Sequence, residues 1–317
     1  MTSVASQAFR EYLSRLELNP ARAEQAATSY NFVKTWLENV LPGASVRRIG
    51  SFQRQTKIRP FAEGHEVDVD ALVCLGAVEG LAPPGTRGIS TESVLESLRR
   101  ALAQHGRFRL MHPKKDAPTV TLGYADEAFS VELVPAFTDT SRYSTRPWGP
   151  ACYLVPGADG RWIRADYDHD AQYISSLNQR ADVAGDLVRV IKLSKAWFRA
   201  SGIGLKSFFI EVLAAGLVPG ILADWCGRGR TWELPHVFAA FLAHAPEFVR
   251  VPLIIPGSFS EQVESGLNGL ERLQVEDFIR RQSRRAYMLA FEADPVAACE
   301  GWRDFFHDPF PALASVA

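Results

Sequence analysis

Acidic residues at alternate positions of a strand-like segment constrain this chain more than any other feature of its sequence. In residues 67–75, apolar side chains alternate with Asp68 and Asp70, and a period of two is typical of a β-strand. The two carboxylates would therefore point to one face, about 6 to 7 Å apart. A second such segment, residues 129–137, carries Glu132 between apolar neighbours. If the two strands are adjacent, the three carboxylates meet at one place.

Three converging carboxylates have a specific chemical use. Carboxylate oxygens are the ligands that Mg²⁺ and Mn²⁺ prefer in proteins. Two such ions can clamp a triphosphate and activate an attacking hydroxyl for in-line displacement. The sequence therefore predicts a site for two divalent ions at Asp68, Asp70 and Glu132, which is typical of a nucleotidyltransferase. Glu66 shares the face of the first two acids, and we interpret it as a flanking residue because the 68/70 pair leads into the longer apolar stretch.

A Gly-Ser pair precedes the acidic strand and directly follows another strand-like segment, residues 46–49. Gly50 would let the backbone approach a phosphate closely, and the hydroxyl of Ser51 with nearby N–H groups could cradle it. The Gly-Ser pair and the D-x-D pair are each weak evidence for a site when taken alone, since a D-x-D pair more often consists of solvated residues at the edge of a sheet. The order strand, Gly-Ser, D-x-D strand and single-acid strand is more specific, and it predicts a triphosphate-binding site.

Composition limits the classes of function. The chain of 317 residues is 47% hydrophobic and 22% charged, which is ordinary for a globular protein of one large or two closely packed domains. Its formal net charge of -1 argues against binding of long nucleic acid, which needs a basic surface. The four cysteines are scattered without metal-ligand spacing, and no apolar run reaches the roughly 18 to 20 residues of a membrane span. We expect a cytoplasmic protein with reduced cysteines.

Periodicity along the chain predicts an α+β fold, in which a mixed sheet with helices is followed by an all-helical part. We divide it into residues 1–160, a nucleotidyltransferase core with an N-terminal helix, and residues 161–317, a helical domain, with the active site in the cleft between them. Strands are predicted at residues 46–49, 67–75, 107–111, 119–124 and 129–137. Helices are predicted at residues 6–16, 21–41, 91–105, 170–178, 185–200, 207–216, 234–243, 259–270, 275–291 and 295–306.

These motifs together resemble the CD-NTase family, the bacterial relatives of cyclic GMP-AMP synthase and the oligoadenylate synthetases in the polymerase-β-like superfamily. The resemblance rests on Gly50-Ser51, Val67-Asp68-Val69-Asp70 and Val131-Glu132-Leu133-Val134, with the helices that carry Lys192 and Ser207. It covers roughly residues 46–311.

The resemblance implies a role for each matching residue. Asp68 and Asp70 would bind both metals, and Glu132 would complete the site and help to activate the acceptor hydroxyl. Gly50 and Ser51 would contact the triphosphate. Lys192 would neutralise its β- and γ-phosphates, with Ser207 hydrogen-bonding nearby. Lys195, one turn from Lys192, could take the same role.

The implied activity is the joining of ribonucleoside triphosphates (ATP, GTP, UTP or CTP) into a cyclic di- or trinucleotide with release of pyrophosphate. The product would act on a separate effector in anti-phage (CBASS) signalling. The resemblance also allows for a partner protein that regulates the enzyme. Two alternatives remain open. One is a polymerase-β-like nucleotidyltransferase that modifies RNA or protein, and the other is a binding module with an inactive site.

Overall fold

A mixed β-sheet forms the first half of the protein. The computed structural model describes residues 3–60, 67–78, 88–124, 129–141, 145–146, 149–150, 152–260, 262–307 and 310–312. The strands are β1 (Ser45–Arg48), β2 (Val67–Val78), β3 (Lys114–Asp116), β4 (Thr119–Tyr124), β5 (Phe129–Asp139), β6 (Thr145–Arg146), β7 (Gly149–Pro150), β8 (Tyr153–Pro156) and β9 (Trp162–Ala165). Seven of them form one sheet in the order β1-β2-β5-β4-β3, with β8 and β9 added at the end of β5. β2 and β5 are parallel, and all other pairs are antiparallel.

Helices precede, interrupt and follow the sheet. They are α1 (Val4–Leu16), α2 (Pro20–Val40), α3 (Gly50–Gln53), α4 (Thr91–Ala103), α5 (Gly106–Leu110), α6 (Tyr167–Asn178), α7 (Asp186–Ala200), α8 (Ser207–Gly227), α9 (Leu234–His244), α10 (Gly269–Ala290) and α11 (Pro295–Phe306), with a short 3₁₀ turn at Ala245–Phe248. The amphipathic pattern explains α2, whose buried side chains recur at Ala26, Tyr30, Val33 and Leu37, one face of a helix.

The two faces of the sheet have different environments. On one face, Val69 of β2 packs with Val33 of α2 and Leu98 of α4 in a large apolar cluster. The opposite face carries a smaller cluster that includes Leu72 and Val134. Because side chains alternate along a strand, the even-numbered acids of β2 lie on this second, less covered face. The fold thus leaves one face of the acidic strands open to a ligand.

A separate apolar core holds α1 and α6 to α11 together, and we call this unit the helical lobe. Trp197 of α7 stacks on Phe305 of α11 with ring centroids 5.3 Å apart. Phe9 of α1 meets the edges of Trp302 and Phe306 at 4.9 and 5.5 Å. The first helix of the chain therefore packs on the last one. The division at residue 160 stays a prediction.

Contrary to the expectation from the sequence that no segment reaches the length of a membrane span, α8 has that length and apolar composition, and it is the one helix of the described residues that does. More than half of its most apolar window, 56%, is buried inside the protein. Its buried side chains, among them Phe209, Val212 and Leu222, belong to the core of the helical lobe. Its hydrophobicity is therefore explained by packing.

The strand predicted at residues 107–111 is wrong, because this segment forms the short helix α5. Phe108 is its one buried side chain, and Leu110 is 75% exposed. A single buried residue does not define a period. The helix α5 begins shortly after the end of α4, with His105 between them, and helical hydrogen bonding continues in it.

The helix predicted at residues 259–270 is also wrong, because the described part of this segment is irregular up to α10. Ser258 and Ser260 use their hydroxyls to bind the carboxylate of Asp170, and such side-chain hydrogen bonds compete with helix formation. Gly266 has a φ of +85°, which a helix does not accommodate. α10 begins only after Asn268, which supplies its N-cap.

Candidate active site

The parallel pairing of β2 and β5 places the predicted acids next to one another. Asp70 lies directly across from Glu132, and Asp68 lies across from Ser130. Neighbouring strands are about 4.8 Å apart, so the acids of the two strands are close neighbours on one face. The structure therefore supplies the adjacency that the sequence analysis required. Glu66, the fourth acid considered, lies outside the described residues.

Gly50 and Asp70 make the closest approach in the site. Gly50 has a φ of +69°, and a Cβ atom built on it would lie 2.0 Å from Oδ2 of Asp70. No residue with a side chain could take this position without displacing the carboxylate. The backbone N–H of Ile49 also donates to the carbonyl of Asp70, at 3.0 Å. The Gly-Ser turn is therefore fixed against the central acid, with Ser51 half-buried in α3.

Asp68 is held by two neighbours. The hydroxyl of Ser130 donates to its Oδ1 at 3.0 Å, and the ammonium of Lys57 donates to its backbone carbonyl at 3.0 Å. Lys57 follows α3 by four residues, and the segment between them includes Gln55, which has a φ of +59°. Burial lowers the pKa of Lys57, and the charges of Asp68 and Asp70 oppose that change. The cation thus lies among the acids.

The carboxylates disfavour one another's ionised forms. Burial, followed by the charges of Asp68 and Asp70, raises the pKa of Glu132 to about 7. Burial also raises the pKa of Asp70, although Lys57 opposes this. The described surroundings therefore do not offset the effect of burial on Asp70 and Glu132, and a cation bound beside them would lower the pKa values of these two acids.

Burial of Glu132 beside Asp68 and Asp70 should make the free energy of unfolding depend on pH, and Glu132→Gln should remove this dependence. The folded pKa of Glu132 lies above its ordinary value of 4.5, so its contribution to stability is present below pH 4.5 and lost as the pH rises through 7. Without divalent metal, Glu132→Gln should match wild type at pH 4.5 and exceed it at pH 8 by about 1–2 kcal/mol, after allowance for partial exposure. Thermal melting in EDTA at both pH values measures this. An equal difference at both pH values would contradict it.

The oxygen donors of the acidic site fit divalent cations. Asp68, Asp70 and Glu132 offer only oxygens, which Mg²⁺ and Mn²⁺ prefer, and burial together with the neighbouring carboxylates raises the pKa values of Asp70 and Glu132. Within the described parts of the chain, however, no three acidic, histidine or cysteine side chains are already drawn together as metal ligands. The chemistry of these residues fits metal ions, while the final ligand arrangement requires side-chain movement.

A buried ionic cluster joins the segment after α3 to the helical lobe. Arg54 donates to both carboxylate oxygens of Glu211, at 2.6 and 3.2 Å. Lys195 donates to the same carboxylate at 2.6 Å and to the carbonyl of Thr56 at 3.1 Å. Arg54 also lies over the ring of Phe208, 4.5 Å from its centroid. Lys195, the alternative phosphate ligand, is therefore engaged in a buried structural contact.

The other two predicted phosphate ligands, Lys192 and Ser207, have different surroundings. The ammonium of Lys192 is 2.5 Å from the carboxylate of Glu17, which follows α1. Ser207 begins α8 and lines a cavity of about 310 Å³ with Lys195 and Arg199. Lys192 does not line this cavity. The roles of Lys192 and Ser207 in phosphate binding stay predictions.

Two cations next to the acids received no role in the sequence analysis. Lys57 contacts Asp68, as described above. Burial lowers the pKa of Arg199, and the charge of Asp68 opposes this. Arg199 is seven residues after Lys192, and two helical turns place both on one side of α7. Helical periodicity could therefore have identified Arg199 as a second candidate.

The position of these cations predicts which of them binds a triphosphate. Lys57→Met and Arg199→Met should each weaken the binding of a nonhydrolysable nucleoside triphosphate about tenfold, because each removes a cation beside the acids. Lys192→Met should change binding less than about twofold, because Lys192 already pairs with Glu17. Calorimetric titration measures all three. A larger loss for Lys192→Met would favour the role that the resemblance implies.

The sequence of the first half matches a known family. Residues 1–148 match the Second Messenger Oligonucleotide or Dinucleotide Synthetase domain. A probable cyclic nucleotide synthase from Bacillus cereus (strain VD146) is 25% identical over 188 residues, which cover 53% of this chain and 54% of that protein. The match thus spans about half the length of this curated relative.

Solved structures share the fold along nearly the whole chain. The apo form of DncV from Vibrio cholerae has a TM-score of 0.74 and 12% sequence identity, over 98% of this chain and 96% of that chain. CdnC from E. coli MS115-1, solved with ATP, has a TM-score of 0.68 and 16% identity, over 96% of this chain and 98% of that chain. The likeness confirms the predicted α+β fold, in which a mixed-sheet core is followed by a helical lobe.

Proposed function

We propose that this chain, whose residues 1–148 match the Second Messenger Oligonucleotide or Dinucleotide Synthetase domain, is a CD-NTase that joins nucleoside triphosphates into a cyclic di- or trinucleotide with release of pyrophosphate. One observation carries the proposal. The register of β2 and β5 places Asp70 beside Glu132, with Asp68 two residues away and the Gly50 turn against Asp70. This arrangement supports the proposal because it would place oxygen ligands for metal ions beside a turn that can bind phosphate.

Different residues of the site would bind the triphosphate, balance its charge and activate the attacking hydroxyl. The turn at Gly50 and Ser51 would receive the triphosphate, because it presents backbone and a hydroxyl beside the acids. Lys57 and Arg199 would balance the phosphate charge and orient the leaving pyrophosphate. Glu132, which lies across from Asp70 on the neighbouring strand, would complete the acidic site and help to activate the attacking hydroxyl.

Two Mg²⁺ or Mn²⁺ ions would be held by Asp68, Asp70 and Glu132. When bound, they would polarise the α-phosphate and stabilise the attacking and leaving oxygens. The oxygen donors and the raised pKa values of Asp70 and Glu132 support this assignment.

The relatives support the substrate class and a regulated setting. Structures of V. cholerae DncV, called a cyclic AMP-GMP synthase, contain a nonhydrolysable GTP in one case and the linear intermediate 5′ pppA(3′,5′)pG in another. CdnC of E. coli was solved in complex with HORMA-deltaN. By analogy, we propose that this chain uses ATP, GTP or related nucleotides in the cytoplasm, that its product acts on a separate effector in anti-phage (CBASS) signalling, and that a partner protein regulates it.

Incubation of the purified protein with all four nucleoside triphosphates and Mg²⁺, without nucleic acid, tests the activity. We expect phosphatase-resistant products whose masses equal cyclic di- or trinucleotides in mass spectrometry, and none in EDTA. Because a regulatory partner is part of the proposal, nucleotide extracts of cells that overproduce the protein are analysed in parallel. The double variant Asp68→Asn and Asp70→Asn is the control and should yield no product in either assay.

Two results would count against cyclisation. In a parallel incubation with added RNA or protein, transfer of nucleotide only to that macromolecule would favour the polymerase-β-like enzyme that modifies macromolecules. Identical products or identical nucleotide consumption for wild type and the double variant would remove the acids from the reaction.

A further inference from the structure

Asp168, in the first turn of α6, binds both sides of the Gly-Ser turn. Its Oδ2 accepts from the guanidinium of Arg47, with an N–O distance of 2.7 Å, and from the hydroxyl of Tyr153 at 3.2 Å. Its Oδ1 accepts from the side-chain amide of Gln53 at 3.2 Å. Arg47 lies three residues before Gly50, and Gln53 is the last residue of α3. One carboxylate therefore spans the turn.

The contacts of Asp168 support one another. The guanidinium of Arg47 lies over the ring of Tyr153, 4.7 Å from its centroid, so the two donors to Oδ2 are stacked. The three partners come from β1, α3 and β8. A group held by three elements has little freedom, although the side chains of Arg47 and Asp168 remain 38% and 39% exposed. Charge-assisted hydrogen bonds from three directions fix position better than a single surface ion pair does.

The first turn of α6 is also fixed on its other side. Asp170 accepts from the hydroxyls of Ser258 and Ser260, at 2.7 and 2.9 Å. Asp166 accepts from the backbone N–H of Phe259 at 3.2 Å. These partners belong to the irregular segment before α10. Three alternate acids thus bind two different structures, with Asp168 facing the sheet and the other two facing the segment from Ser258 to Ser260.

We propose that Asp168 is a positioning residue that holds the Gly50–Ser51 turn against Asp70 and couples the position of that turn to the helical lobe. The effect on nucleotide binding rests on the proposed function, because it requires the turn to contact the triphosphate. The effect on the turn itself does not. Loss of the carboxylate frees both flanks of the turn, Arg47 and Gln53, while the acids of β2 and β5 keep their strand hydrogen bonds.

Hydrogen exchange of the apo protein tests the position of the turn without reference to activity. Three amides report on it, because Arg54, Gln55 and Thr56 donate to the carbonyls of Gly50, Phe52 and Ser51. In Asp168→Ala, peptides that cover residues 49–56 should exchange at least about threefold faster, while peptides of α10 stay unchanged. Asp182→Ala is the matched control, because the half-buried Asp182 pairs with Arg180, its neighbour two residues earlier.

Steady-state kinetics then test the consequence for substrate. Asp168→Ala should raise KM for nucleoside triphosphate about tenfold and change kcat less, because the chemical groups stay in place. Gln53→Ala should show the same pattern more weakly, and adding it to Asp168→Ala should change little further. Asp168→Glu, which keeps the charge, should recover part of the affinity.

The outcomes separate the two proposals. Unchanged exchange at residues 49–56 in Asp168→Ala would overturn the positioning role, whatever the activity. Faster exchange together with a wild type that makes no product would support the positioning role and reject the proposed function. If Asp168→Ala does not fold, Gln53→Ala decides, because it removes one contact only, and unchanged exchange there would overturn the role.

Discussion

Replacement of Asp70 by asparagine is expected to reduce product formation by on the order of a thousandfold and to leave the fold intact or more stable. Asparagine keeps the shape beside Gly50, where a single added carbon would lie 2.0 Å from Oδ2, but it removes the charge that a cation needs. Burial raises the pKa of Asp70, and Asp68 adds to this, so the ionised form is disfavoured in the folded protein without a cation. A neutral side chain avoids that penalty.

Opposite changes in activity and stability distinguish this result from simple damage. Product formation is measured by mass spectrometry, and thermal stability is measured in EDTA at pH 8. Asp224→Asn is the matched control, because Asp224 pairs with Arg228 on the exposed side of α8 and should leave both quantities unchanged. A large loss of both activity and stability in Asp70→Asn would show that the carboxylate is structural rather than functional.

The acidic site was predictable because its information is local. Alternation of apolar and acidic residues in β2 and around Glu132 determines which face each carboxylate occupies. The pairing of Asp70 with Glu132 required only that the two strands be neighbours, which the fold provides. The Gly50 turn was predictable for the same reason, because Gly50 and the strand before it lie close in sequence to Asp68 and Asp70.

The cations were less predictable because their partners are distant in sequence. Lys192 pairs with Glu17, which is 175 residues away. Lys195 pairs with Glu211 on the next helix, but its second contact is Thr56, 139 residues away. Periodicity places these lysines on one side of α7 and does not say which one meets the other half of the protein. Tertiary packing decides that.

Irregular segments were mispredicted for a related reason. Residues 259–270 have enough apolar positions for a helix, yet Ser258 and Ser260 hold the chain against Asp170, about 90 residues earlier. The predicted strand at residues 107–111 had too few buried side chains to define a period. In both cases a distant or missing contact outweighed the local pattern.

Loss of the Glu211 carboxylate is expected to destabilise the protein more than any other single change among its ion pairs. Glu211 is fully buried and accepts from Arg54 and Lys195, whose side chains are 7% and 4% exposed. Glu211→Ala leaves two cations without an anion in a dry environment, which costs about 3–5 kcal/mol. For a chain of this size the melting temperature should fall by on the order of 10 °C.

The same carboxylate should also determine part of the acid stability. Burial alone would raise the pKa of Glu211, but Arg54 and Lys195 outweigh it and lower the pKa from 4.5 to about 2. A group with a depressed folded pKa contributes stability above its unfolded pKa, and that contribution is lost as the pH falls from 4.5 towards 2. Wild type should therefore lose its advantage over Glu211→Ala across this range, which melting curves at successive pH values measure.

Two further variants identify the cause. Glu276→Ala is the matched control, because Glu276 is also buried but its partners Arg250 and Arg280 are more than half exposed and can be hydrated. Glu276→Ala should reduce the free energy of unfolding clearly less than Glu211→Ala does.

Lys195→Met added to Glu211→Ala should restore part of the lost stability, because it removes one of the two unpaired cations. The ionic cluster connects the segment after α3 to α7 and α8, so each substitution also removes packing between these elements. If the double variant is less stable than Glu211→Ala, this lost packing, rather than unpaired charge, explains the loss of stability.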